Sequence, residues 1–202
     1  MLRRASAFLI LGLWLMATSP ITAQPTNRDP TRAPAGNYVL EPGSSSLLIR
    51  IPLMGGLSRY AMRFNTLSGD FTYDPASWRN TEVEITVDPR SIVARNSAFS
   101  RAVLGYFEPD KYPVIRFRST SLAADADGRG QLTGDLTFHG VTRPVALAVE
   151  FKGVGADPTG SGARMAFSGT GQIRRSEFGV TAARVFADDQ IDLVFDVEFV
   201  RK

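Results

Sequence analysis

The sequence predicts an all-β fold, an antiparallel sheet closed into a barrel with one short helix. Three observations carry that expectation. Apolar and polar residues alternate with period two in successive segments from Tyr38 to the C-terminus, which places one set on each face of a strand. The stretch QLTGDLTFHGVTRPVALAVEF at 131–151 joins two such runs through His139-Gly140, the signature of a two-residue hairpin in which Gly140 supplies a positive φ. Only NSAFSRAVLGY at 96–106 has helical spacing. One-faced strands joined by short turns make an antiparallel sheet, and closing it hides its edge strands. Alternation alone leaves an open sandwich as the other solution.

At the N-terminus, Arg3 and Arg4 precede an apolar stretch at 7–17, followed by the small residues Thr18, Ser19, Thr22 and Ala23. That layout predicts a secretory signal peptide over 1–23, cleaved after Ala23, and a periplasmic product. The stretch is short of the roughly 20 apolar residues of a membrane span. Residues 24–36 (QPTNRDPTRAPAG) have no apolar period and are expected to form a flexible linker before a single domain at 37–202.

The strands follow in order. Leu47, Ile49 and Ile51 share a face, and Pro52 ends that run or sets it at an edge. Leu67, Gly69, Phe71 and Tyr73 share a parity from which Phe64 is out of phase, so a bulge is expected between them. Further one-faced sets are Val83, Ile85 and Val87; Ile115 and Phe117; Leu132, Gly134, Leu136 and Phe138; and Val145, Leu147, Val149 and Phe151. Met165, Phe167, Gly169, Gly171 and Ile173 come next, then Ile191, Leu193, Phe195, Val197 and Phe199. In the helix, Ser97 is the expected cap, Phe99 and Val103 fall four apart, and Gly105 ends it.

Composition narrows function. The chain has 202 residues, 44% hydrophobic and 21% charged, enough for one well-packed domain. It holds 23 Lys and Arg against 20 Asp and Glu, and without Arg3 and Arg4 the balance is 21 against 20. A nucleic-acid binder needs a concentrated basic face, and no basic run occurs, so nucleic acid is not an expected partner. The absence of cysteine removes disulfides, thiolate catalysis and cysteine zinc sites. No GxSxG, HExxH or GxxxxGK[ST] motif is present, and a histidine in a hairpin turn is poorly placed as a general base. Asp188, Asp189, Asp192 and Asp196 read as solvated surface acids ahead of a metal site. Arg174, Arg175 and Glu177 read as a charged connection ahead of an anion site. No catalytic residue, cofactor or metal is expected.

LTGDLTFHGVTRPV at 132–145 resembles the hairpin motif of the YceI-like family of periplasmic lipid-binding proteins. YVLEP (38–42), GDFTYD (69–74), YPVIRFRSTSL (112–122) and RSEFG (175–179) agree with it in order. The resemblance implies an extended lipocalin-like barrel of about eight antiparallel strands whose apolar bore holds a long isoprenoid chain. It also implies export, and because some members dimerise it allows a homodimer. The chain departs from the family where Ser44, Ser45 and Ser46 replace a histidine-serine pair, at Met54, near which a histidine is frequent, and across 99–104, where the polar residues preceding the helix-end aromatic are replaced. The expected function is binding or carriage of a polyisoprenoid or similar long apolar lipid, without catalysis. A solid-cored interaction module and a lipid-acting enzyme are the alternatives. Candidate ligand-binding residues are Phe64, Phe71, Ile85, Phe117, Leu136, Phe138, Leu147, Phe167, Leu193 and Phe195, with Phe99, Val103 and Phe107 closing one end. Gly134, Gly169 and Gly171 lie on the same faces, where a missing side chain is expected to leave the bore open.

Overall fold

A computed structural model of the protein describes residues 26–157, 162–183, 185 and 187–202. The expected signal peptide, 1–23, lies outside the described residues. The strands are, in chain order, β1 (Gly36–Leu40), β2 (Ser46–Leu53), β3 (Ser58–Phe64), β4 (Leu67–Tyr73), β5 (Val83–Val87), β6 (Ile92–Val93), β7 (Ile115–Ala124), β8 (Arg129–Phe138), β9 (Val141–Ala156), β10 (Ala163–Arg174) and β11 (Gln190–Arg201). One helix, α1 (Ser97–Gly105), follows β6.

Eight of these strands close a barrel in the order β1-β4-β5-β7-β8-β9-β10-β11, with β11 pairing back onto β1. Every pairing is antiparallel, as alternation with short turns requires. The closing strand serves two partners. Its C-terminal part pairs with β1 (Tyr38 opposite Arg201) and its N-terminal half with β2 (Ile49 opposite Leu193). The turn Pro42–Ser44 separates β1 from β2, and the buried Ser45 stitches that break to the wall by accepting from Glu198 N at 3.1 Å. Beyond β2 the sheet continues through β3 to the short β6.

The apolar parities all turn inward. Tyr38, Phe71, Met165, Ile191 and Phe199 are buried, and Phe71 packs with Tyr38, Phe167 and Phe199 at ring separations of 5.3, 6.1 and 4.8 Å. Outside, cross-strand pairs such as Arg116 with Glu84 face solvent. At that exposure they contribute little to stability.

Several local expectations change. Phe64 and Leu67 are out of phase because they end and begin different strands, β3 and β4, which do not pair with each other. No bulge joins them. Bulges lie instead in β9 at Lys152, opposite Ala166 and Phe167, and in β7 between Ser119 and Ser121, where the extra residue shifts the inward parity from Ser119 to Leu122. Pro52 stays within β2, opposite Arg59 of β3 and past Arg50, where the pairing with β11 ends. A proline with no N–H is tolerated there because past the β11 ladder Pro52 serves only as an acceptor, its carbonyl taking Asp188 N at 2.9 Å. Asn96, not Ser97, caps α1, its Oδ1 accepting from Phe99 N at 2.9 Å.

The largest correction concerns the expected linker. From Asn27 onward it is folded against the barrel. Asn27 exchanges two backbone bonds with Val154, Asn27 N to Val154 O at 3.1 Å and Val154 N to Asn27 O at 2.8 Å. Asp29 caps the single turn Pro30–Arg32. The Tyr73 hydroxyl donates to Pro30 O, the Tyr38 hydroxyl donates to Pro34 O at 2.8 Å, and Ala33 is fully enclosed. Compact prolines and alanines need no strand or helix period to cover an opening, because barrel hydroxyls satisfy their free carbonyls. This plug seats at the end of the barrel where β1 begins.

Candidate ligand-binding cavity

Inside the barrel lies a cavity of about 250 Å³. Close-packed interiors leave few voids larger than a water molecule, so this space is a property of the fold rather than a packing defect. Its floor at the plug end is formed by Pro30, Trp78, Gly128 and Phe151. At the opposite end Phe107, which follows α1, packs on Phe64 and Phe138 at 5.9 and 5.3 Å between rings.

Most of the expected lining lies on the wall. Phe64, Phe71, Ile85, Phe107, Phe117, Leu136, Phe138, Leu147, Phe167, Leu193 and Phe195 all border the cavity. Leu47 and Ile49 do as well, as their parity implies. Val103 is buried beneath α1 without reaching the cavity. Phe99 does not close the end. It is 39% exposed and stacks on Tyr60 at 4.4 Å.

The glycines act otherwise than expected. None of Gly134, Gly169 and Gly171 borders the cavity, because a side chain from the neighbouring strand lies across each. A β-carbon on Gly134 would meet Phe117 Cζ at 2.6 Å, one on Gly171 would meet Leu147 Cδ2 at 2.5 Å, and one on Gly169 would collide with the Phe195 ring. The glycines therefore do not hold the bore open. They let large neighbours lie flat against the wall.

Sequence reasoning missed the plug-end residues Pro30, Trp78 and Thr81. They sit in single turns or beside them, where no period marks a buried side. With Tyr73, they give the lining its polar character. Among the described residues, Tyr73, Trp78 and Thr81 carry its only side-chain N–H or O–H groups, and no acidic, basic or histidine side chain reaches it. Burial pushes the Tyr73 hydroxyl pKa up to about 12, so it remains a donor to Pro30 at neutral pH.

The remaining candidates are structural. His139 and Gly140 have φ of 51° and 75° and form the β8–β9 turn. The His139 ring also packs on Tyr112 at 4.4 Å, with Nε2 3.6 Å from Glu108 Oε2. Arg175 is not a surface connection: it is buried, and its guanidinium donates to the backbone carbonyls of Asp188, Val180, Ala182 and Ala187. That one side chain ties the 180–188 loop to the end of β10. Asp189 accepts from Ser176 N and Oγ at 2.9 and 2.7 Å, and the hydroxyl bond chiefly holds its pKa low. The residues RSEFG thus form a loop anchor, with Phe178 fully buried and Gly179 at φ 78°.

The model of the YceI-like domain matches residues 38–199 of this chain. A UPF0312 protein of Vibrio cholerae is 32% identical over 176 residues, covering 86% of this chain and 92% of the relative. Among solved structures, Burkholderia cenocepacia BcnA superposes with a TM-score of 0.68 at 21% identity, over 79% of this chain and 98% of BcnA. A polyisoprenoid binding domain from Saccharophagus degradans, implicated in plant cell wall breakdown, superposes with a TM-score of 0.59 at 15% identity, over 82% and 98%. These likenesses establish the fold.

Proposed function

This chain belongs to the YceI-like domain family, and from that premise we propose that it is an exported binding protein that carries a polyisoprenoid or similar long apolar lipid in its barrel. One observation carries the reading: the barrel cavity of about 250 Å³ is bordered almost wholly by hydrocarbon and aromatic side chains, with no charged group among the described residues. Water inside it would lack the two to four polar partners that ordered water requires. Each CH₂ moved from water into such a space gains about 0.8 kcal/mol, so a branched hydrocarbon chain repays the cost of its own ordering. Recognition is chiefly by shape, and the polar groups of the bore, on Tyr73, Trp78 and Thr81, all sit at the plug end. The same lining supports binding without turnover, because among the described residues no acidic, basic or histidine side chain faces the space. The solved polyisoprenoid binding domain of the same fold supports the ligand class, and the arginine-led apolar leader at 1–23 supports export.

The test is mass spectrometry of organic extracts from protein purified without detergent. About one apolar lipid per chain is expected. A second arm fills the cavity: Val149→Phe should remove the lipid and keep the thermal midpoint close to that of lipid-stripped wild type. Folded wild type that yields no lipid, or Val149→Phe that unfolds as an overpacked core would, overturns the reading. Sedimentation velocity on the same protein settles whether it is the homodimer the family allows.

A further inference from the structure

The end of the barrel opposite the plug carries an unusual surface. The three most exposed large apolar side chains among the described residues are Val185, Leu57 and Met54, at 86%, 83% and 68%. All three sit on two adjoining loops. Met54 and Leu57 belong to the β2–β3 turn, where Met54, Gly55 and Gly56 have φ of 51°, 68° and 92°. The loop holding Val185 is bonded to that hairpin through Leu53 opposite Ala187 and Asp188 N to Pro52 O. Met54 and Val185 border the same surface depression. Phe99, also exposed, packs on Tyr60 of β3, the strand that leaves this turn.

Charge around these loops is one-sided. Residues 43–69 and 89–107 contain no Asp or Glu but hold Arg50, Arg59, Arg63, Arg90, Arg95 and Arg101. Arg90 pairs with Asp110. The other five are exposed, and among the described residues none makes an ion pair. Arg59 adjoins the turn, Arg95 precedes α1 and Arg101 lies on it. Two acids, Asp188 and Asp189, border the same depression as Met54 and Val185, and they are engaged: Asp188 accepts from Asp189 N and Gln190 N, and Asp189 from Ser176, while Asp192 accepts from Gln172 and Gln190.

We propose that this end of the barrel docks on an anionic lipid bilayer, with Met54, Leu57 and Val185 entering the head-group layer and Arg59, Arg95 and Arg101 meeting lipid phosphates. Protruding single apolar side chains, flanked on the β3 and α1 side by arginines without an ion pair, match an interfacial layer, which is apolar below and anionic above. A groove-binding protein partner would instead meet a concave apolar face. The inference rests on the reading of the barrel as a lipid carrier, for which this end, held by one short helix and Phe107, is where a chain would pass between bilayer and bore.

The experiment is co-sedimentation of the purified protein with phosphatidylcholine vesicles, with and without phosphatidylglycerol, at low and high salt. Binding is expected only to the anionic vesicles, and salt should release it. Each basic residue at an anionic surface is worth about fivefold in partitioning, so Arg59→Gln with Arg101→Gln should weaken binding about 25-fold. Leu57→Asp, at a site too exposed to affect folding, should abolish it. Binding indifferent to lipid charge or to these variants overturns the proposal. So does a dimer in sedimentation velocity that Leu57→Asp dissociates, since a second copy would then cover the surface. Lipid extracted from the same variants separates the two readings: an empty barrel that binds anionic vesicles sinks the carrier, whereas a filled barrel that ignores them sinks the docking.

Discussion

At Gly134 and Gly169 there is no room for a β-carbon. Besides the rings of Phe117 and Phe195, each would press on a neighbouring backbone carbonyl, of Arg118 and Ala148 respectively. Carbonyls cannot move without breaking ladder hydrogen bonds. Gly171 differs, because its close neighbour is the terminal methyl of Leu147 and the next atoms, Ala146 O and Leu193 Cδ1, stand at 3.6 and 3.7 Å. Gly134→Ala and Gly169→Ala should therefore lose about 1–3 kcal/mol in urea unfolding, and Gly171→Ala under about 1 kcal/mol. Equal losses at all three would mean that strand bending, not ring overlap, demands glycine. Parity put these residues on the correct face. It could not show what covers them, because the covering ring belongs to a strand whose register is set by the whole sheet. Arg175 was illegible for a related reason: its partners are backbone carbonyls, which leave no mark in a sequence.

The plug shows where reading by element stops. Strands announce themselves by period two, and β4, β8, β10 and β11 all keep the faces their alternation assigns. The segment before β1 has neither period, so composition alone made it a linker. It is ordered by two tyrosine hydroxyls from the barrel. Removing one hydrogen bond of this kind costs about 1 kcal/mol, which is the expected loss for Tyr73→Phe at neutral pH, together with faster hydrogen exchange of residues around Pro30. Titration gives a second check. Burial raises the Tyr73 pKa from about 10 to about 12. A raised folded-state value means that stability from the protonated hydroxyl is complete below about pH 10 and is lost as pH climbs through about 12. The thermal midpoint of the wild type should fall over that window, and that of Tyr73→Phe should fall less. Parallel curves would show that the plug does not depend on this hydroxyl.

As a whole molecule, the barrel encloses a space that its own side chains do not fill. A ligand bound at a hundredfold excess over its dissociation constant adds about 2.7 kcal/mol to stability, which for a domain of this size raises the midpoint by about 5–10 °C. Stripping the lipid should lower the calorimetric midpoint by that amount, and reloading should restore it. An unchanged midpoint after stripping would place the lipid outside the barrel. The closing seam has a different consequence, one that concerns the order of assembly. The last strand binds both β1 and β2, and the start of β1 lies beside the chain's last residue, with Lys202 N donating to Asn37 O at 2.9 Å. A chain made from its N-terminus keeps two unpaired sheet edges until its final dozen residues arrive, and such edges are templates for aggregation. Losing the last strand would therefore leave an adhesive open ribbon, whereas joining the two ends and cutting at the exposed Met54–Leu57 turn would conserve every pairing in the wall.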